Sequence, residues 1–243
     1  MAEILIGIPT FNRLKNLKVC IKEIKRHTIQ PYDLIVADDH SSDGTLEWLI
    51  ESGIRYETGE NRGGGRNKNR IFKHYRGYKY IFVFEDDYKP IYIGWEKEFI
   101  DAMNKYKLPA LLYYEKEHYE SLHGVKYAFT DDLIWANRFE PAVALYDSKA
   151  IEKVGGVNPK FFGYGHSIAE HFWRMQKSKL IPSNFPDATP HLAKSVDYIV
   201  NQYAAIFTDE KIRKVQSDKN VELTQAIQAD CVKNNNYFIP IEL

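Results

Sequence analysis

The chain has 243 residues, 33 basic against 33 acidic side chains, 44% hydrophobic residues and two cysteines. That balance fits a globular protein with one large core or two small ones, and excludes a disordered or fibrous one. A formal net charge of zero gives none of the basic field that carries affinity for phosphate backbones, and the distant Cys20 and Cys231 offer neither a disulfide framework nor a cysteine-rich zinc site.

The first residues, MAEILIGIPTFNR, carry an acid at Glu3 and reach Pro9 after a short apolar run. A signal peptide needs a basic start and a longer apolar core. No stretch approaches the ~18 uncharged residues of a membrane span. A soluble, cytoplasmic protein with reduced thiols is expected, peripheral to a membrane only through whatever it acts on.

Short apolar runs at Ile4 to Ile8, Leu34 to Ala37, Ile54 to Tyr56 and Tyr80 to Phe84 read as buried strands. Between the first two, LKNLKVCIKEIKR repeats Leu14, Leu17, Cys20 or Ile21, and Ile24 at helical spacing, with lysines on the other face. SSDGTLEWLIES offers Ser42 or Asp43 as a helix cap, and GGGRNKNRIFKHY runs from a glycine turn into a third helix. Alternation of this kind predicts an α/β fold with a mostly parallel sheet covered by helices on both faces.

Further on, YIGWEKEFIDAMNKY reads as a helix and LPALLYYE as a strand. A polar, aromatic stretch follows from Lys116 to Asn137, either a pocket wall or a surface insertion. Residues 141 to 153 predict a strand and a capped helix. Past a proline-containing stretch from Ser183 to His191 come two polar helical segments near 209 to 216 and 219 to 234. The economical division is one domain over 1 to 182, made of one half to residue 90 and another from 91, and a C-terminal helical extension over 183 to 243 packed on it.

In open parallel sheets ligands sit where strands end and loops begin. Here those positions are PTFNR at 9 to 13, ADDHSSDGT at 37 to 45, ENRGGGRN at 60 to 67 and EDD at 85 to 87. Each alone also fits a structural role as a turn or a cap. Together, acids and a basic glycine loop on one rim point to a nucleotide with a metal. Glu85, Asp86 and Asp87 directly after YIFVF would repel one another unless something positive sits there, and carboxylate oxygens suit a hard divalent cation that shares its shell with substrate phosphate. The three glycines let backbone approach a ligand, while Arg62, Arg66, Lys68 and Arg70 could neutralise phosphate oxygens. The loop is neither a P-loop nor a tight GxGxxG match.

The order PTFNR, VADDHSSDGT, ENRGGGRN, FVFEDD and GGVNPKFFGYG, followed by Trp173 and Arg174, resembles the family 2 glycosyltransferases of the GT-A fold over residues 3 to 180. The resemblance implies a Rossmann-like sheet, a nucleotide-diphospho-sugar donor and an acceptor site in the second half. Carried over by position, Pro9, Thr10 and Arg13 lie beside the nucleotide, Asp39 meets the base, typically uracil, and Arg66 sits near base or phosphate. Asp86 approaches the ribose or metal with Glu85 in support, and Asp87 is the main Mn2+ or Mg2+ ligand. His191 in TPHL stands where some relatives place a further metal ligand, and also fits a plain surface histidine.

Leaving-group charge on the diphosphate would be stabilised by the cation and the Arg66 region. An acceptor hydroxyl attacking from the opposite face needs a base and inverts the anomeric centre. Many relatives supply an acidic base after the FFGYG-like loop, where this chain reads Gly165, His166, Ser167, Ile168, Ala169, Glu170, His171. Aligned backward from Arg174, the resemblance places Glu170 at an acidic position, on one helix face with His166, which makes Glu170 the first candidate base and His166 the second. His166 and His171 fit packing or capping equally well. The resulting expectation is a UDP-sugar-dependent hexosyltransferase of polysaccharide biosynthesis, inverting, acting on a saccharide or lipid-linked saccharide. The rivals are a catalytically silent sugar-nucleotide or glycan-binding module and, more distantly, a nucleotidyltransferase.

Overall fold

The computed structural model describes residues 2–113, 126–129, 133–136, 142–162, 165–181, 189–192, 196–198 and 210–242. The parts of the aromatic stretch outside these ranges, and the proline-containing segment before residue 189, lie outside the described residues.

The first half alternates as its sequence predicts: β1 (Ile4–Thr10), α1 (Leu14–His27), β2 (Tyr32–Asp38), α2 (Thr45–Glu51), β3 (Tyr56–Thr58), α3 (Gly64–Phe72), β4 (Tyr80–Phe84) and the short β5 (Tyr88–Pro90). Then come α4 (Trp95–Tyr106), β6 (Ala110–Tyr113), β7 (Lys126–Phe129), β8 (Leu133–Ala136), β9 (Val143–Asp147) and α5 (Ser148–Val154). The rest comprises α6 (Ser167–Lys177), β10 (Thr189–Leu192), β11 (Val196–Tyr198) and α7 (Glu210–Asn234).

One nine-stranded sheet has the order β3-β2-β1-β4-β9-β6-β10-β8-β7, and β11 pairs with β5 in a second, two-stranded one. Within the large sheet only β9 and β8 run against the other strands, which makes it mixed but mostly parallel. Period-two alternation divides the strand side chains between two cores. Ile4, Ile6, Ile8, Phe82 and Phe84 meet α1, α2 and α4 through Leu17, Cys20, Leu49, Trp95 and Phe99. Leu5, Ile81 and Val83 meet Ile71, Phe72, Ile151 and Phe172 on the other face. A Cβ at Gly7 would lie 2.2 Å from Ile71, so this glycine lets α3 settle directly on β1.

Several boundaries differ from the sequence expectation. The third strand starts at Tyr56, not Ile54, because the Ile54 amide donates to the Leu49 carbonyl and closes the end of α2 while its side chain plugs the core. α2 is entered through left-handed Gly44, although Asp43 still serves its first turn by accepting from the Thr45 amide. Strand β6 begins at Ala110, after Lys107 turns the chain in the left-handed region. The two expected C-terminal helical segments are one helix, α7; nothing between them breaks a helix, for Ser217, Asp218 and Lys219 include no glycine or proline. The segment read as a helical extension also supplies β10, an interior strand between β6 and β8.

The capped helix after β9 is as expected: the Asp147 carboxylate accepts from the Lys149 amide at 2.8 Å. Both cysteines are buried free thiols. Among the described residues no helix is long and apolar enough to cross a membrane.

Candidate functional site

The four motifs meet where β1, β2 and β4 end. Thr10 closes β1 and its hydroxyl donates to Asp86 Oδ2 at 2.7 Å, with both residues buried. Arg13, at the start of α1, spans the acidic cluster with one nitrogen: Nη1 donates to Asp86 Oδ1 at 2.9 Å and Asp87 Oδ2 at 2.7 Å. Lys68, one turn into α3, pairs with Glu85 at 2.8 Å. Part of the positive charge that the sequence demanded beside the three acids is supplied in this structure by two of the chain's own cations.

Burial, reinforced by Asp87 and Glu85, pushes the Asp86 carboxyl up to about 7 against the pull of Arg13 and the Thr10 hydroxyl. Burial alone would lower the Arg13 guanidinium, but Asp86 and Asp87 more than reverse it and fix the arginine as a cation. Three carboxyl groups face two cations on this rim. Carboxylates are the donor type a hard divalent cation takes, and in that respect Asp86 and Asp87 suit Mn2+ or Mg2+. Among the described residues no group of three or more His, Cys, Asp or Glu side chains is arranged to hold a metal ion. One Asp87 oxygen, Oδ2, is held by Arg13.

At the end of β2, Asp38 is wholly buried and accepts from the Ser41 amide and the Thr58 hydroxyl, the turn-capping role open to it in the sequence. Asp39 does more. Its Oδ1 accepts from the Arg62 amide at 3.2 Å and from Arg70 Nη1 at 2.9 Å, and its Oδ2 accepts from the Gly63 amide at 2.9 Å. This carboxylate, 3% exposed, thus anchors the glycine loop in the position from which the resemblance expects it to meet a base.

Gly63 has a φ of 86°, open to glycine, and α3 begins without a side-chain cap. Arg66 Nε donates to the Pro159 carbonyl at 3.3 Å, which ties the donor loop to the 157–161 segment. A cleft of about 200 Å³ opens beside this network, lined by Glu57, Thr58, Gly59, Glu60, Arg62 and Arg70.

The sequence reading missed Asn67, Asn69 and the anchoring part of Arg174. Asn67 donates to the carbonyls of Thr10 and Ala37 and accepts from Arg70, so it fastens the ends of β1 and β2 to α3. Asn69 accepts from the Val157 amide and donates to the carbonyls of Val157 and Glu242. A buried asparagine in an amphipathic helix is the one sequence signal for either.

The structure places the candidate base Glu170 in the core. Its side chain is wholly buried and ion-paired at 2.7 Å with Arg174, itself wholly buried. The Arg174 guanidinium also donates to the carbonyls of Val154 and Gly156. Burial raises the Glu170 carboxyl despite Arg174, and no acceptor hydroxyl can reach it without opening the core. Helical spacing placed it correctly on one face of α6; the face points inward.

His166 differs. It is partly exposed, stands before α6 in the left-handed region with a φ of 66°, and burial lowers its imidazole, which keeps it neutral and able to accept a proton at neutral pH. The adjoining turn is fastened by Asn220, whose Nδ2 donates to the carbonyls of Phe162 and Gly165. His171 takes the packing role: fully buried, its Nε2–H donates to the Gly155 carbonyl at 3.0 Å, between the rings of Phe72 and Tyr146. His191 lies on β10, paired with Leu112 and Ile134; its side chain is outside the described residues.

Residues 5–111, rather less than half of the chain, match the family model Glycosyl transferase family 2, which bears out the resemblance over the stretch that holds the four rim motifs. No curated protein matches the chain. Among solved structures it is similar to the mannosyltransferase PcManGT from Pyrobaculum calidifontis in complex with GDP-Man and Mn2+, with a TM-score of 0.59 and 14% identity over 80% of this chain and 57% of that one. It is also similar to S. aureus TarS 1-349 in complex with UDP, with a TM-score of 0.55 and 15% identity over 79% of this chain and 58% of that one. GalNAc-T7 with UDP, GalNAc and Mn2+ gives a TM-score of 0.62 and 7% identity over 80% of this chain and 44% of that one. At these identities the likeness establishes the GT-A fold, and the chain spans less than two thirds of each of these proteins.

Proposed function

We propose that the chain is a nucleotide-sugar-dependent glycosyltransferase, with a UDP-sugar as donor, Mn2+ or Mg2+ at Asp87 and a saccharide or lipid-linked saccharide as acceptor. The observation that carries it is the physical linkage of the rim: Thr10, Arg13, Asp39, the Arg62–Gly63 turn and Glu85–Asp87 are joined by hydrogen bonds and ion pairs across three strand ends. Pro9, Thr10 and Arg13 would flank the nucleotide, Asp39 would hold the loop against the base, and Arg66 would face base or phosphate. Asp86 and Asp87 would hold the cation, with Glu85 beside them and His191 on β10 as a further ligand. Bound there, the cation would offset charge developing on the leaving diphosphate.

Among the chain's own residues, His166 is the better candidate base. It is neutral and partly exposed, whereas Glu170 is enclosed. An inverting transfer follows if the hydroxyl whose proton His166 accepts attacks the anomeric carbon from the face opposite the leaving diphosphate. A role in polysaccharide biosynthesis in the cytoplasm, with hexose as the transferred unit, completes the reading. The burial of Glu170 favours one rival, a module that binds sugar nucleotide without turning it over.

Thermal stability against UDP, GDP, dTDP and CMP, each with and without Mn2+, tests the donor site. A ligand that binds only the native state at 100 times its dissociation constant stabilises by about 2.7 kcal/mol. Stabilisation by UDP that needs Mn2+ and vanishes in Asp87→Ala is the expected result, and no response to any nucleotide refutes it. Transfer lost in His166→Ala with UDP affinity retained identifies the base; binding without turnover in the wild type favours the silent module.

A further inference from the structure

We infer that Arg13 is the resting counter-ion of Asp87, and that it makes uptake of the divalent cation conditional on a nucleoside diphosphate. The inference rests on the donor-site reading above and goes further, since it assigns an order to the two ligands. A single nitrogen, Nη1, lies within hydrogen-bond distance of carboxylates from two successive residues. Its side chain is only 27% exposed and Asp86 is 3% exposed, so both sit in a poorly screened environment. A divalent cation approaching Asp87 must take the oxygen that Arg13 holds, or bind the other oxygen beside a guanidinium of like charge. Either way Arg13 opposes it.

A diphosphate changes the balance. The planar guanidinium fork matches phosphate as well as carboxylate, and a diphosphate carries more negative charge than the single Asp87 carboxylate. A diphosphate on this rim would offer Arg13 new anionic partners, draw it off Asp87 and bring further oxygen ligands for the cation. Thr10 keeps Asp86 oriented through its hydroxyl while Arg13 moves, and the Lys68–Glu85 pair is separate from the exchange. The expected behaviour is a site that binds cation poorly alone and well with the nucleotide.

The test is Mn2+ binding to the full chain followed by the signal of free Mn2+ in electron paramagnetic resonance, with and without UDP. In wild type UDP tightens Mn2+ by about tenfold or more, within the range usual for coupling between two sites, and Mn2+ tightens UDP by the same factor. Without UDP, Arg13→Gln binds Mn2+ about tenfold more tightly than wild type, and the gain from adding UDP shrinks. Arg13→Lys, which keeps the charge but loses the fork, falls between them, while Asp87→Asn takes up no Mn2+ in any condition. Arg13→Gln no tighter than wild type in the absence of UDP overturns the inference. Should that variant not fold, Arg13→Lys carries the test, and an affinity equal to or below wild type overturns it equally. Tight Mn2+ uptake by wild type without UDP refutes the ordering while the donor-site reading stands. No uptake by any form, with UDP present, removes both.

Discussion

The buried pair of Glu170 and Arg174 separates a structural role from a catalytic one, because the two assign opposite phenotypes to the same substitution. Arg174→Met removes the ion pair at 2.7 Å and the donors to the Val154 and Gly156 carbonyls, leaving Glu170 enclosed with no cation. Breaking a buried pair by removing one partner costs about 3–5 kcal/mol. Each orphaned carbonyl would add ~1–3 kcal/mol if water could not reach it. Glu170 relieves part of this by taking up a proton, which its upward shift already favours, so a net loss of about 4 kcal/mol is expected.

Glu170→Gln keeps one acceptor for Arg174 but leaves a wholly buried guanidinium without its counter-charge, so it too should cost about 3 kcal/mol or more. Urea denaturation measures both, and the double variant gives the coupling between them. Glu170→Gln should retain UDP affinity and whatever transfer rate the wild type shows, within about twofold after correction for folded fraction. A loss below about 1 kcal/mol in Arg174→Met would refute the structural assignment. Abolished transfer in Glu170→Gln with an unmoved denaturation midpoint would restore Glu170 as the base.

Burial holds the His171 imidazole well below its usual range, so the unfolded chain binds a proton that the folded chain does not. Stability from this group is present above the unfolded value near 6.5 and lost as pH falls below it, so His171→Phe should flatten the acid limb of a stability–pH curve; an unchanged slope refutes the assignment. Gly155→Ala should cost about 2–4 kcal/mol by chemical denaturation, because φ is +76° and the added Cβ would lie 1.6 Å from the Ile239 carbonyl oxygen. Thr10→Val removes the 2.7 Å bond to buried Asp86 and should lower the thermal midpoint by the equivalent of about 1–3 kcal/mol; an unchanged midpoint would mean Arg13 alone suffices to hold that carboxylate.

The sequence by itself determined the alternation of strands and helices in the first half, the two-faced cores and the order of the rim motifs. These rest on periodicity and on chain-order rules, both of which a linear pattern records. Only the tertiary structure decided which charges meet. Arg13 reaches Asp86 and Asp87 across more than seventy residues, and Lys68 pairs with Glu85. Helical spacing put Glu170 on one face of α6 without saying that the face is core, since spacing fixes which residues share a side and packing fixes what that side meets. The Gly155–Gly156 pair looked like part of a loop motif. Its need for glycine comes from Ile239 and Asn69, distant in sequence and brought within van der Waals reach only by folding.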